Sequence, residues 1–326
     1  MPGKLTSKAN TICLLEILKE YSDEENILTM SEIIQKMHSL YGITIERKTV
    51  YNCVSLLTEL GYEISTYEDN KKGYYLLGRE FEASELRFIM DSIFMNSSIP
   101  AKQSAELIKK LQKNSLSVHK RKQYKNLVSM NGEHKTPNKS VFFNIECLDE
   151  AIARKRKVEF TYQMYDFNKK LVPSKDYRFI INPYGLVAAN DFYYLVCNND
   201  RFETGVAHYR VDKIADISVL DKKVKPVPKN FDIYQYTRKS IFMFGGECQR
   251  IKILCDNSVL GNVIDKFGAS VKIQPVGDDS FTAQFDAYPG GVKFWLLQYL
   301  ESCKVLEPKS LDAEIIKVLE YNKYVK

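Results

Sequence analysis

The sequence predicts an α+β chain of several domains, on three patterns. Apolar residues recur at helical spacing over 11–60 and again over 81–116. Short runs rich in aromatic and β-branched residues, broken by polar turns, fill 158–211. From residue 249 onward, strand and helix patterns follow one another as βαββαβ with a last helix. A length of 326 residues is enough for several cores of this kind. No run of about 18 apolar residues is present that would span a membrane.

The first helix covers roughly residues 11–21, where Leu14, Ile17, Leu18 and Tyr21 share a face. The second opens on a capping box formed by Thr29 and Glu32, places Ile33, Ile34, Met37 and Leu40 on one side, and stops at Gly42. The third runs over about 46–60 and ends at Gly61. At about 100° per residue, Val50, Val54 and Leu57 make its apolar stripe, with Cys53 beside it. Lys48, Asn52 and Ser55 fall opposite, flanked by Tyr51. Strands at 62–66 and 73–77 then enclose a turn rich in Asn, Gly and Lys.

Residues 1–80 therefore read as a winged helix-turn-helix. Asn pairs bidentately with adenine, and Lys and Thr suit phosphates or base edges. The expected DNA contacts are Arg47, Lys48, Thr49, Tyr51 and Asn52, with Lys71 and Lys72 in the wing. The plainer readings are a solvated helix face, or a winged helix used for protein contacts. Charge bears on the choice, because residues 1–80 carry a net −3, residues 81–145 a net +6 and the remainder +3. The domain expected to meet DNA is thus itself acidic.

Residues 81–145 read as a basic helical connector, with helices at 81–95 and 101–116. Lys109, Lys110, Lys113, Lys120, Arg121, Lys122 and Lys125 form its charge cluster. Such runs are commonly solvated surface; the alternative is a grip on flanking phosphates. The polar stretch 131–140 marks a boundary. Beyond it, a short helix at 147–154 and strands at 158–162, 177–183, 185–189, 192–197 and 205–211 suggest a small antiparallel barrel over 146–222. Residues 223–326 carry strands at 249–255, 270–274, 281–287 and 303–307 and helices at 257–267, 292–300 and 311–324. That order fits a ferredoxin-like domain with the lone Trp295 in its core.

Three segments of the barrel, Asn182-Pro183-Tyr184-Gly185-Leu186, Phe192-Tyr193-Tyr194-Leu195-Val196 and His208-Tyr209-Arg210-Val211-Asp212-Lys213-Ile214, resemble the bacterial WYL-domain transcriptional regulators. The Trp-Tyr-Leu motif falls on Tyr193-Tyr194-Leu195, with Tyr in place of Trp. The resemblance extends to Glu46-Arg47-Lys48-Thr49-Val50-Tyr51 and Gly73-Tyr74-Tyr75-Leu76, with Cys53 where an acidic residue is common. It also reaches Val292-Lys293-Phe294-Trp295-Leu296-Leu297 and Val305-Leu306-Glu307-Pro308-Lys309-Ser310-Leu311.

This resemblance implies an Sm-like β-barrel that binds a regulatory ligand, in some members single-stranded or other nucleic acid. The family positions fall on Tyr162, Arg178, Pro183, Tyr184, Tyr194, His208 and Arg210. It further implies a C-terminal extension that helps close on the ligand or a partner subunit. The residues support part of this. Strand alternation puts His208 and Arg210 on one face, Arg matches phosphate bidentately, and Tyr rings stack on bases. The competing readings are barrel core for the tyrosines and structural ion pairs for Arg178 and Arg210.

The seven cysteines are scattered and the four histidines have no metal-ligand spacing. With no phosphate-binding glycine loop and no nucleophile pair, neither an enzyme nor a cofactor or metal is expected. The first residues lack a signal-peptide core, so a reducing cytoplasm is expected. The expectation is a ligand-responsive regulator, homodimeric on a double-stranded DNA operator, with a nucleic-acid or nucleotide-like effector. The second reading is a single-stranded nucleic-acid-binding module whose winged helix makes protein contacts.

Overall fold

The computed structural model describes residues 9–124, 134–200, 205–227 and 231–323, and the chain divides into two units, Met1–Thr136 and Pro137–Lys326. Lys125, the start of the polar stretch at 131–133 and the expected helix end at Tyr324 lie outside the described residues.

The first unit opens with α1 (Asn10–Tyr21), α2 (Met30–Tyr41) and α3 (Arg47–Glu59). Their apolar stripes meet as periodicity predicts: Leu14, Ile17, Leu18, Ile33, Met37 and Val50 are fully buried in one core. The Thr29 box is present, with the Thr29 N–H donating to Glu32 Oε2 at 2.8 Å and the Glu32 N–H to Thr29 Oγ1 at 3.3 Å. Gly42 ends α2 in the left-handed region, φ 67°.

The segment after α3 departs from the simple hairpin expected. The strands shrink to β1 (Ile64–Ser65) and β2 (Tyr75–Leu76), and the turn between them is helical, α4 (Tyr67–Asn70). Asn70 explains this. Its Nδ2 donates to Ser65 Oγ and the Gly73 carbonyl, and its Oδ1 accepts from the Lys72 and Gly73 N–H groups at 2.7 and 2.9 Å. One side chain thereby closes the loop that a longer ladder would otherwise close. Leu28 adds a third backbone segment, exchanging both hydrogen bonds with Tyr74 at 3.0 and 2.7 Å. Gly73 makes that approach possible, since a Cβ there would lie 2.1 Å from the Leu28 carbonyl oxygen.

The connector supplies α5 (Ala83–Met95), α6 (Ala101–Ser115) and α7 (Val118–Gln123). Lys120 pairs with Glu24, Arg121 with Glu20, and the Ser117 hydroxyl donates to Asp23. Arg79 adds hydrogen bonds to the Lys19 and Ser22 carbonyls at 3.1 and 2.8 Å. Part of the expected basic cluster is therefore spent on the acidic end of α1.

In the second unit, α8 (Val141–Ala153) packs Leu148 and Ala151 on a curled sheet of β3 (Arg156–Tyr165), β4 (Leu171–Pro173), β5 (Phe179–Ala189), β6 (Phe192–Asn199), β7 (Ala207–Arg210) and β8 (Ile214–Lys223). The order is β8-β3-β5-β6-β7, with β4 on the far end of β3. The expected barrel is realised as a half-barrel: no ladder joins β7 to β8 among the described residues. Two register shifts in the β3–β8 pairing and one between Pro183 and Gly185 mark where the sheet bends.

The chain continues through α9 (Ile233–Lys239), β9 (Gln249–Asp256), α10 (Leu260–Phe267), β10 (Lys272–Val276), β11 (Ser280–Ala287), α11 (Pro289–Leu296), β12 (Cys303–Glu307) and α12 (Lys309–Glu320). The four strands pair antiparallel in the order β10-β11-β9-β12. Trp295, Phe281, Ile251 and Ile253 lie in the core beneath them.

Two measurements test this account. Gly73→Ala forces the Cβ into the Leu28 carbonyl, so urea unfolding should show a loss of about 2–4 kcal/mol. The second concerns Asp200, which meets Lys157, Lys225 at 3.2 Å and Asn182 at 2.8 Å. Burial alone would raise its pKa, but these partners outweigh burial and hold it at about 2. Its stabilising contribution is therefore present above the unfolded carboxylate value, near 4, and is lost as pH falls toward about 2. Because Asp200 keeps some solvent contact, Asp200→Asn should remove only about 1 kcal/mol of the stability difference between pH 5 and pH 2.

Candidate functional site

Two faces carry the predicted residues, one in each unit. On α3, the buried stripe of Val50, Cys53, Val54 and Leu57 leaves Arg47, Lys48, Tyr51 and Asn52 exposed and Thr49 half-buried. Among the described residues, no side-chain hydrogen bond or ion pair engages Arg47, Lys48 or Asn52. Tyr51 is partly committed: after burial, its hydrogen bond to Tyr74 is the next cause that pushes the Tyr74 phenol up to about 12. Lys71 folds back, its Nζ donating to the Glu68 carbonyl at 2.8 Å, while Lys72 is exposed.

The first turn of α3 contains no acid and two cations, Arg47 and Lys48. The positive end of a helix dipole disfavours cations by roughly 0.3–1 kcal/mol each. An exposed, unpaired pair in that place is not there for helix stability.

In the half-barrel, β6 and β7 pair Tyr194 with Arg210 and Val196 with His208, so these four side chains share one face. Arg210 grips Asp212 through two bonds, Nε to Oδ1 at 3.0 Å and Nη2 to Oδ2 at 2.7 Å. Asp212 is only 1% exposed. Burial works against the Arg210 charge, but Asp212 outweighs it and raises the guanidinium pKa. The guanidinium carbon also lies 3.3 Å from the centroid of the Phe192 ring. Lys213 sits beside this pair, its ammonium lowered by burial and then by Arg210.

The turn that carries Asp212 is fixed from α8. Asn144 Nδ2 donates to the Val211 and Ile214 carbonyls at 3.3 and 2.8 Å. Asn138 Nδ2 donates to the Asp212 and Ile214 carbonyls at 2.9 and 2.8 Å. Tyr162 acts from the core side, where its hydroxyl accepts the Arg210 N–H at 3.3 Å; burial pushes its phenol up to about 12.

The aromatic predictions form a row completed by two rings that sequence reasoning missed. Tyr194, His208, Tyr236, Phe231 and Tyr184 follow one another with centroids 6.2, 6.3, 5.4 and 6.2 Å apart. His208 Nδ1 lies 3.1 Å from Tyr236 Oη, and burial lowers the imidazole pKa. Ile233 of α9 fills the space over Gly185, where a Cβ would come 2.4 Å from its Cδ1. Arg178 stands apart: its Nε lies 2.8 Å from Glu159 Oε1 and its Nη2 donates to the Asp216 carbonyl. Pro183 and Tyr184 also border a groove with Arg154, Lys155, Arg156 and Lys223.

Phe192 and Asp212 lay inside the quoted segments but were not singled out, although the spacing of Arg210 and Asp212 was a usable signal for the ion pair. Tyr236 and Phe231 had none, because their contact with β6 and β7 is long-range. Together the face offers a held guanidinium, a second cation and a row of rings, which suits a planar, anionic ligand.

Arg210→Ala should cost about 2–4 kcal/mol in the unfolding of this unit, because Asp212 is left buried and unpaired. Arg210→Met with Asp212→Leu should recover part of that loss. A single variant no less stable than the natural chain would show that the pair is not what holds the turn.

Residues 144–219 match the family model described as WYL domain. No curated protein matches the chain at comparable significance. Similar solved structures include Proteasome accessory factor B/C (PafBC) of Arthrobacter aurescens, at 15% identity and TM-score 0.28, covering 99% of this chain and 51% of that one. Another, titled "Crystal structure of a CRISPR Cas-related protein", is 14% identical at TM-score 0.38, covering 100% of this chain and 89% of that one. The chain thus spans about half the length of the PafBC structure, and neither likeness is close enough to establish fold or function. The family match coincides with the half-barrel and the helix beneath it, so residues 144–219 form a WYL domain.

Proposed function

We propose that this chain is a DNA-binding transcriptional regulator whose WYL domain binds an anionic, nucleotide-like effector. The observation that carries the reading is α3. It turns Arg47, Lys48 and Asn52 outward, unpaired, with both cations in a first turn where the helix dipole opposes them. Phosphates nearby would reverse that penalty. In this reading α1 to β2 form a winged helix-turn-helix, with Leu28, β1 and β2 as its small sheet. The β10-β11-β9-β12 order supports a ferredoxin-like C-terminal domain. A homodimer would present two copies of α3 to a two-fold operator.

The WYL face supports the effector half of the proposal. Arg210 spends two of its donors on Asp212, which leaves its remaining N–H groups for a ligand anion. Tyr194 and His208 lie beside it for stacking. Ligand-dependent change would pass to the C-terminal segment through Tyr236, which already touches His208.

Duplex DNA from upstream of the protein's own gene, titrated by fluorescence anisotropy, tests the first half. Lys48→Ala with Asn52→Ala should weaken binding at least tenfold, about 1.4 kcal/mol, and reduce the salt slope by about one. Unchanged duplex binding in the double variant would favour the other assignment, in which the helix face contacts protein and single-stranded nucleic acid is the main ligand.

A further inference from the structure

We propose that Cys255 and Cys303 form a peroxide-oxidisable dithiol that closes to a disulfide across β9 and β12. The two residues are register partners on neighbouring antiparallel strands, and their sulfurs lie 3.4 Å apart. The backbone hydrogen bonds show which kind of pair this is. The Cys303 N–H donates to the Tyr299 carbonyl at 2.8 Å, and the flanking Asp256 N–H donates to Ser302 at 3.0 Å. Cys255 and Cys303 therefore do not bond each other through the backbone. In such pairs the Cα atoms sit about 4.5 Å apart and the side chains come closest, within the span a disulfide bridges.

The two thiols are not equivalent. Cys255 is 1% exposed on the central strand β9, and Cys303 is half-buried on the edge strand β12. The hydrogen bond between them lowers the Cys303 thiol below its ordinary value and raises Cys255, as burial also does. Its half-exposed place on the edge strand makes Cys303 the thiol that a small oxidant reaches, and Cys255 the resolving thiol. No group of three metal-binding side chains occurs among the described residues, so a metal site does not compete for the pair.

The chemistry balances with hydrogen peroxide as oxidant. The Cys303 thiolate attacks one peroxide oxygen, the O–O bond breaks, and the departing hydroxide takes a proton to leave as water. The sulfenic acid formed is then attacked by Cys255 sulfur. The S–O bond breaks, the S–S bond forms, and the second oxygen leaves as water with the Cys255 proton. Two thiols and one peroxide give one disulfide and two waters. The link encloses α10, β10, β11 and α11 and fastens the edge strand to the sheet centre. It would be reversed by thiol–disulfide exchange.

The test uses the full chain, reduced and then exposed to graded peroxide. Intact mass should fall by two hydrogens per chain, and peptide mapping should place the link at Cys255–Cys303. Tm should rise on oxidation and return with dithiothreitol, because the link constrains the unfolded chain. Cys303→Ser should abolish the link. Cys255→Ser should leave a sulfenic acid on Cys303 that dimedone traps. The proposal falls if oxidised natural chain shows no internal link, or if the link maps to the exposed Cys248. An unchanged Tm would also overturn it. The measurements on the natural chain decide the matter even where a serine variant folds poorly.

Discussion

A carboxylate almost sealed from water organises the WYL domain. Asp212 has to be matched by charge and hydrogen bonds, because an unpaired buried ion costs several kcal/mol. Arg210, two residues away, meets it with two bonds, and Arg cannot lose its proton to escape the site. That requirement fixes the backbone between them, and the rest of the region serves it. Asn144 on α8 and Asn138 just before it hold the carbonyls of the turn, and the Tyr162 hydroxyl takes the Arg210 N–H. Once the guanidinium is fixed, sheet alternation delivers Tyr194 and His208 to the same face. Under the proposed function, pairing with Asp212 and binding a ligand anion would not compete at Arg210, which keeps further N–H donors. The ion pair is what aims the donors it leaves free.

The same face depends on the chain that follows the half-barrel. Val196, Tyr236 and Tyr288 form one small core, with Val187, Phe231 and Ile233 packed against it. Tyr236 packs against His208, and burial lowers the imidazole pKa. A half-barrel without α9 would expose this apolar strip. Sheet and C-terminal segment thus share one core on the side where the candidate ligand residues lie.

The helices were legible because burial imposes a period that the residues repeat. Val50, Val54 and Leu57 fell where the wheel put them. What was illegible depended on contacts far apart in sequence. The strand Leu171–Pro173 is three residues long and ends in Pro, and Ile214–Lys223 breaks its alternation at Asp216, which has φ 52°. Neither carries a strand signal of its own; both exist because β3 offers them edges. The turn after β1 failed for a similar reason, since Asn70 satisfies the backbone in a way that composition alone does not reveal. At the candidate site, the resemblance named residues without saying which ones meet. The structure joins Tyr194, His208 and Arg210, links Tyr184 through Phe231 and Tyr236, and leaves Arg178 on Glu159.

The acidity of residues 1–80 seemed to count against DNA contact, and the structure changes the weight of that objection. Net charge treats every carboxylate as if it faced the ligand. Glu20 and Glu24 are instead paired with Arg121 and Lys120, and Asp23 accepts from Ser117 and from Asn26, bonds that outweigh burial and hold it below the ordinary carboxylate range. These acids are screened locally by the connector, so the charge that 1–80 carries on paper overstates the field it projects. Exposed charges act over about 8 Å at physiological salt, so a phosphate at α3 responds to its immediate neighbours more than to the domain total. Those neighbours are Arg47, Lys48 and the positive end of the α3 dipole, with the single exposed carboxylate of Glu46 at the N-cap set against them. The lysine-rich connector then has a physical role that does not require it to touch nucleic acid: it neutralises the acidic end of α1.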